Sequence, residues 1–266
     1  MKKWLKISKE ILSEIQRSVS SCVGTSEAGE VLCMGADGTP TMRIDDLAEH
    51  VVLEYLEKRN LDAWILSEEL GLKKGDNDII IVIDPLDGTD NAIKGIPMFS
   101  SSVAVGKIEN SNINLITGAV RNLVTGDIFE AIKGHGAYLN GRKIRASRTE
   151  NLEDACLGLY IYGFDLDTVK NLCSSVKRSR LFGSIALELC FVANSSYDIF
   201  VDIRGSARIT DLAAGIVIVE EAGGIVTDHR GNPIIPTFDI NTGTSVFAAG
   251  NRVLLQKAME KVMIND

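Results

Sequence analysis

The chain has little of what many catalytic and binding sites are built from. Its three histidines, His50, His135 and His229, lie far apart and form no metal-ligand pattern, so nothing points to a histidine-dependent mechanism. Five cysteines, Cys22, Cys33, Cys156, Cys173 and Cys190, are odd in number and show no CxxC spacing, which argues against a zinc site or a disulfide framework. Cys156 and Cys190 stand in apolar surroundings and are expected in the core. Positive charge is scarce too: the formal net charge is -8 and the pI about 5.1, without the basic stripe that a general nucleic-acid binder needs. No apolar run approaches the ~18 residues that span a bilayer, and the opening MKKWLKISKE has no continuous apolar stretch of the signal-peptide kind. A soluble, cytoplasmic protein with neither nucleic-acid nor membrane partners is therefore expected. Internal repeats, low-complexity tracts and Pro/Ser linkers are also missing, so the parts of the chain should pack closely.

What is present is apolar material. With 266 residues and 45% hydrophobic content, the chain can bury the core of one large or two modest domains. Trp4, Ile7, Ile11, Ile15 and Val19 recur at spacings of three and four and predict an amphipathic helix. A second helix should start near Asp45, with Leu47, Val51, Tyr55 and Leu56 inward. Between them the Gly-rich stretch 24–40 reads either as a turn joining two short strands or as a mobile flap. Residues 64–67 read as a strand running into Glu68 and Glu69. Segments 101–107, 113–120 and 127–132 read as an antiparallel meander, and GAYLNG at 136–141 as a hairpin. From about residue 150 the pattern becomes an α/β layer, with strands near 155–161, 178–182, 197–202, 224–227 and 245–249. Helices are expected at 167–173, 184–193, 211–222 and 252–264. This organisation predicts an N-terminal α+β half over 1–149 and a C-terminal α/β half over 150–266, with a site between them.

One heptapeptide concentrates chemistry. IDPLDGT at 83–89 follows the aliphatic run Ile79, Ile80, Ile81 and Val82, so Asp84 and Asp87 sit where a buried strand gives way to a tight turn. Two carboxylates and the Leu86 carbonyl can then converge on one small volume, an arrangement suited to hard cations. Gly88 and Thr89 bring N–H groups and a hydroxyl to the same corner, which suits an anion. Cations beside an anion cradle suggest phosphate chemistry. Glu68 closes a predicted strand and Asp211 opens a helix; alone, each reads equally well as a solvated edge or a helix cap.

Taken together, SEEL at 67–70, IDPLDGT at 83–89, RLFGSIALELC at 180–190 and TDLAAG at 210–215 resemble the inositol monophosphatase family over nearly the whole chain. The GADGTPT stretch before the second helix and VDIR at 201–204 are similar to its archaeal-type branch, whose members often hydrolyse both inositol-1-phosphate and fructose-1,6-bisphosphate. The resemblance implies a five-layered αβαβα sandwich, usually dimeric. It implies two or three Mg²⁺ ions: Glu68, Asp84 and the Leu86 carbonyl hold the first, Asp84, Asp87 and Asp211 the second, and a weaker third sits near Glu68. Glu68 and Thr89 would position and deprotonate a water, with Asp45 orienting the threonine hydroxyl. Asp87, Gly88 and Thr89 would meet the phosphate. In the second half, Ser184 and Ile185 at a helix start, together with Asp202, would meet sugar or inositol hydroxyls.

Arg180 and Arg204 are the cationic candidates for the second phosphate that the bisphosphate carries, since arginine offers a planar fork. Tyr160 and Tyr162 are further hydroxyl candidates. One departure touches the phosphate corner: Asp90, Asn91 and Ala92 stand where family members commonly have an uncharged residue followed by Asn-Phe. The preferred reading is a Mg²⁺-dependent monoesterase of sugar or inositol phosphates. A phosphatase for 3′-phosphoadenosine 5′-phosphate and a regulatory binding protein that keeps the fold are the alternatives.

Overall fold

The computed structural model describes residues 1–36, 38–110, 112–161, 163 and 166–262. Helix α1 (Lys2–Val19) forms on the expected periodicity, burying Ile7, Ile11, Leu12, Ile15 and Val19 along one face. The Gly-rich stretch takes the hairpin form of its two readings: β1 (Val31–Met34) pairs antiparallel with β2 (Pro40–Met42). Helix α2 (Arg43–Lys58) turns Ile44, Ala48, Val52, Tyr55 and Leu56 inward, leaving Leu47 and Val51 only half-buried. Its buried stripe is rotated from the expected one because Asp45 and Glu49 also point into the protein.

The next strands build the larger sheet: β3 (Trp64–Ser67), β4 (Gly71–Lys73), β5 (Ile79–Asp87), then after helix α3 (Thr89–Ile93) come β6 (Ser100–Glu109), β7 (Asn112–Asn122), β8 (Ile128–Ile132), β9 (Ala137–Leu139) and β10 (Arg142–Lys143). Its order is β10-β9-β8-β7-β6-β5-β3-β4, antiparallel except for the parallel β3–β5 pair. The continuous aliphatic run of β5 reflects burial on both faces. The smaller sheet follows from β11 (Cys156–Tyr160), α4 (Asp167–Ser175), β12 (Arg178–Arg180), α5 (Ile185–Ala193), β13 (Ile199–Ala207), α6 (Ile209–Glu221), β14 (Ile225–Thr227), β15 (Thr244–Ala249) and α7 (Arg252–Met259). Its order is β12-β11-β13-β15-β14, with β12, β11 and β13 parallel and β15 antiparallel to both neighbours. The last helix ends at Met259; residues 263–264 of the expected helix lie outside the described residues, as does Tyr162.

Helices α5 and α6 are apolar nearly all round, which only a fully enclosed helix tolerates. They form the layer between the sheets. Helices α1 and α2 cover the far face of the larger sheet, while α4 and α7 cover that of the smaller, completing a five-layered αβαβα sandwich. Gly118 lets β7 approach α6: a Cβ there would lie 2.4 Å from the Ala214 carbonyl oxygen. Cys190 is buried in the middle layer as expected, but Cys156 is only half-buried, at the start of β11.

Candidate active site

Strand β5 ends in an irregularity. Asp84 faces Ser102 and Asp87 faces Ser100, with the ladder shifted between them at Pro85, where no N–H is available to pair. The freed Leu86 N–H turns back onto Asp84 Oδ1 at 2.9 Å. Gly88 then takes φ 93, a conformation open to glycine, and a Cβ there would press on the Met98 and Gly183 carbonyls at 3.1 and 3.2 Å. This turn delivers Thr89, whose hydroxyl lies 2.8 Å from Asp45 Oδ1 and 3.0 Å from the Leu86 carbonyl. A single proton can serve one acceptor at a time. Asp45 also caps α2, its Oδ2 accepting the Met42 N–H at 3.2 Å, so the capping and orienting readings hold together.

Glu68, at the end of β3, and Asp211, in the first turn of α6, come together with Asp84: one oxygen from each lies within 4.8 Å of the other two. Burial pushes the Asp84 carboxyl well above the ordinary range, and the neighbouring charges of Glu68, Asp211 and Asp87 push it further. Asp87 has a different setting. Its Oδ2 accepts from the Ser184 hydroxyl at 2.6 Å, the Ala186 N–H at 2.8 Å and the Ser100 hydroxyl at 3.2 Å, and Oδ1 accepts the Ile185 N–H at 3.2 Å. Burial and Asp211 raise its carboxyl to about 6, against the lowering by those hydrogen bonds.

Three expectations for the second half change as a result. The N–H groups opening α5, expected to meet substrate hydroxyls, are spent on Asp87, and Ser184 is wholly buried behind them. Asp202 is equally buried; its carboxylate takes the Arg204 guanidinium at 2.9 and 2.6 Å and the Arg204 N–H at 3.0 Å, so its hydrogen bonds go to its own strand. Arg180 is exposed, donates to the Ser179 carbonyl at 2.8 Å, and is not among the described residues lining the cleft. Arg204 does line the cleft, with its guanidinium 3.9 Å from the Tyr160 ring centre.

The cleft, of about 580 Å³, runs over the trio between the two sheets. Asp45, Glu68, Asp84, Leu86, Asp87, Gly88, Thr89, Ile185 and Asp211 all line it. Two contributions were missed by sequence reasoning. Arg208, which precedes α6, sets its Nη1 2.7 Å from Glu68 Oε1 and its Nε 3.7 Å from Asp211 Oδ2; only its spacing of three residues from Asp211 hinted at this. Asn91 spans the halves, donating to the Met98 and Phe182 carbonyls at 2.7 Å each, and so fixes the cleft wall at Leu181 and Phe182.

Clustered oxygen ligands at the junction of two layered sheets, beside an oriented hydroxyl, define a metal-dependent phosphatase. The chain belongs to the inositol monophosphatase family, whose model matches residues 4–265. It is 43% identical to the fructose-1,6-bisphosphatase/inositol-1-monophosphatase of Methanothermobacter thermautotrophicus over 98% of this chain and 97% of that one. It is 41% identical to a bifunctional NADP phosphatase/NAD kinase of Methanococcus maripaludis over 95% of this chain but 48% of that protein. Among solved structures, a Pyrococcus horikoshii protein with similarities to inositol-1 monophosphatase superposes with TM-score 0.87 at 32% identity, covering 99% of both chains. Among the described residues no helix is long and apolar enough to cross a membrane.

Proposed function

We propose that the protein hydrolyses inositol-1-phosphate and fructose-1,6-bisphosphate with Mg²⁺. The observation that carries this reading is the Glu68–Asp84–Asp211 trio beside the Thr89–Asp45 pair. The donors fit a hard cation: all are oxygens, and such acids repel one another without positive charge between them. Glu68, Asp84 and the Leu86 carbonyl would hold one ion, Asp84, Asp87 and Asp211 a second, and a third would sit near Glu68. Bound there, Mg²⁺ would neutralise the phosphoryl group and the leaving oxygen. Thr89, with its proton turned to Asp45, presents lone pairs that orient the attacking water, and Glu68 takes a proton from it. The water oxygen bonds to phosphorus as the ester P–O bond breaks, and the leaving oxygen takes a proton from a second water of the cleft, which solvent replenishes.

A second reading concerns the leaving group. Leu181, Phe182 and Ile96 expose 59%, 36% and 46% of their surface at the cleft, an apolar rim suited to a planar base. That rim favours a nucleotide substrate such as NADP or 3′-phosphoadenosine 5′-phosphate. A purely regulatory binding role leaves the clustered acidic trio without a purpose. The proposal extends to a homodimer in the cytoplasm, where the five free cysteines would stay reduced.

Phosphate release from the four substrates, with and without Mg²⁺, tests the proposal. Turnover of the first two should require Mg²⁺ and fall about 10³-fold in Asp84→Asn. Turnover of the nucleotides alone would install the second reading, and wild-type activity in Asp84→Asn would remove the metal assignment.

A further inference from the structure

Arg208 stands apart from the other basic side chains of the cleft. Its guanidinium lies 2.7 Å from Glu68 Oε1 and 3.7 Å from Asp211 Oδ2, with side-chain exposures of 24% for Arg208, 17% for Glu68 and 7% for Asp211. Its charge also opposes the proton affinity of Asp84, the third member of the trio. An exposed ion pair is worth little because water screens it, but this contact is largely enclosed, and one of its partners sits on the first turn of a buried helix. A single side-chain cation therefore acts on every carboxylate of the trio. The backbone fixes it there: Arg208 immediately precedes α6, and its N–H is held by Asp211 Oδ2 at 3.3 Å.

We propose that Arg208 is a built-in counter-cation that competes with divalent metal for Glu68 and Asp211 and so sets the affinity of the site. This rests on the cation reading of the trio. Divalent ions held by Glu68 on one side and by Asp211 on the other bring further positive charge to oxygens that the guanidinium already engages, so ion and guanidinium repel and the side chain must leave Glu68. Arg208 thereby stabilises the acidic corner against its own repulsion while weakening its hold on metal. A residue with a merely structural role would do the reverse, because its loss would distort the ligands and weaken binding.

The test is Mn²⁺ titration of the full-length protein by calorimetry without substrate, for wild type, Arg208→Met and Arg208→Gln. Both variants should bind Mn²⁺ about tenfold more tightly than wild type. With chelator present both should melt lower than wild type, and saturating Mn²⁺ should close that gap. Gln keeps hydrogen-bonding capacity without charge, so it decides the matter if Met at 208 prevents folding. Unchanged or weaker Mn²⁺ affinity in the folded variants would overturn the role of Arg208. Absence of Mn²⁺ binding to wild type would instead remove the cation reading beneath it.

Discussion

At the scale of single residues, Glu188 shows how a buried acid couples stability to pH. It has no exposed surface, its Oε1 accepts the Phe182 N–H at 3.4 Å, and Oε2 has no hydrogen-bond partner among the described residues. Burial pushes its carboxyl from 4.5 up to about 8. Because the folded state holds this proton more tightly than the unfolded state, the contribution to stability is fully present below 4.5, declines as pH rises, and is lost above about 8. Glu188→Gln should therefore match wild type near the acid end and exceed it at pH 8 by on the order of 1–3 kcal/mol in urea unfolding. A variant less stable than wild type at both pH values would contradict this. Arg180→Ala should leave KM for both inositol-1-phosphate and fructose-1,6-bisphosphate unchanged, since Arg180 stands outside the described lining of the cleft. A rise for the bisphosphate alone would restore the second-phosphate role that its sequence position suggested. Asp84 stood out locally, at the end of an aliphatic strand, whereas Glu68 and Asp211 were ambiguous alone and joined it only through the resemblance carried by the four sequence blocks together. The partners of Asp87 were not legible, since Ser184, Ile185 and Ala186 are 97 to 99 residues distant and nothing local announces them.

At the scale of elements, α6 is the part on which the site depends, because it carries Asp211 and follows Arg208 while packing against both sheets. Gly118 sets its distance from β7. Gly118→Ala should push α6 away from the larger sheet, lowering stability by about 1–3 kcal/mol in urea unfolding and reducing kcat together with it. Unchanged kcat would show that Asp211 tolerates the displacement. The strand Trp64–Ser67 was readable to the residue, since its apolar run meets a clear polar end at Glu68 and Glu69. Strand β13 was not: its apolar residues thin out after Ile203, yet backbone pairing resumes between Ala207 and Thr244 across an irregularity. Likewise α6 begins at Ile209, ahead of the expected start at Asp211, because Asp211 serves as its third residue and caps backwards onto Arg208.

At the scale of the molecule, the helical layer of α5 and α6 belongs to both sheets at once. The halves 1–149 and 150–266 each lose a face of their core without it or without the sheet it covers. Full-length protein should accordingly melt in one calorimetric transition, and either half expressed alone should lack the native circular dichroism; two separate transitions would show independent domains. The switch of pattern near residue 150 announced an α/β layer, and the five-layered order came from the family resemblance; the sharing of the middle layer was not legible, since helices apolar all round state that they are enclosed but not by what. The grip of Asp87 on the start of α5 has a further meaning in time. A contact that bridges nearly a hundred residues closes late, after the local hairpins and helices have formed. During refolding, the ability to hold metal should thus trail the recovery of secondary structure, and the acids of the site remain apart, each in water, until the chain is nearly native.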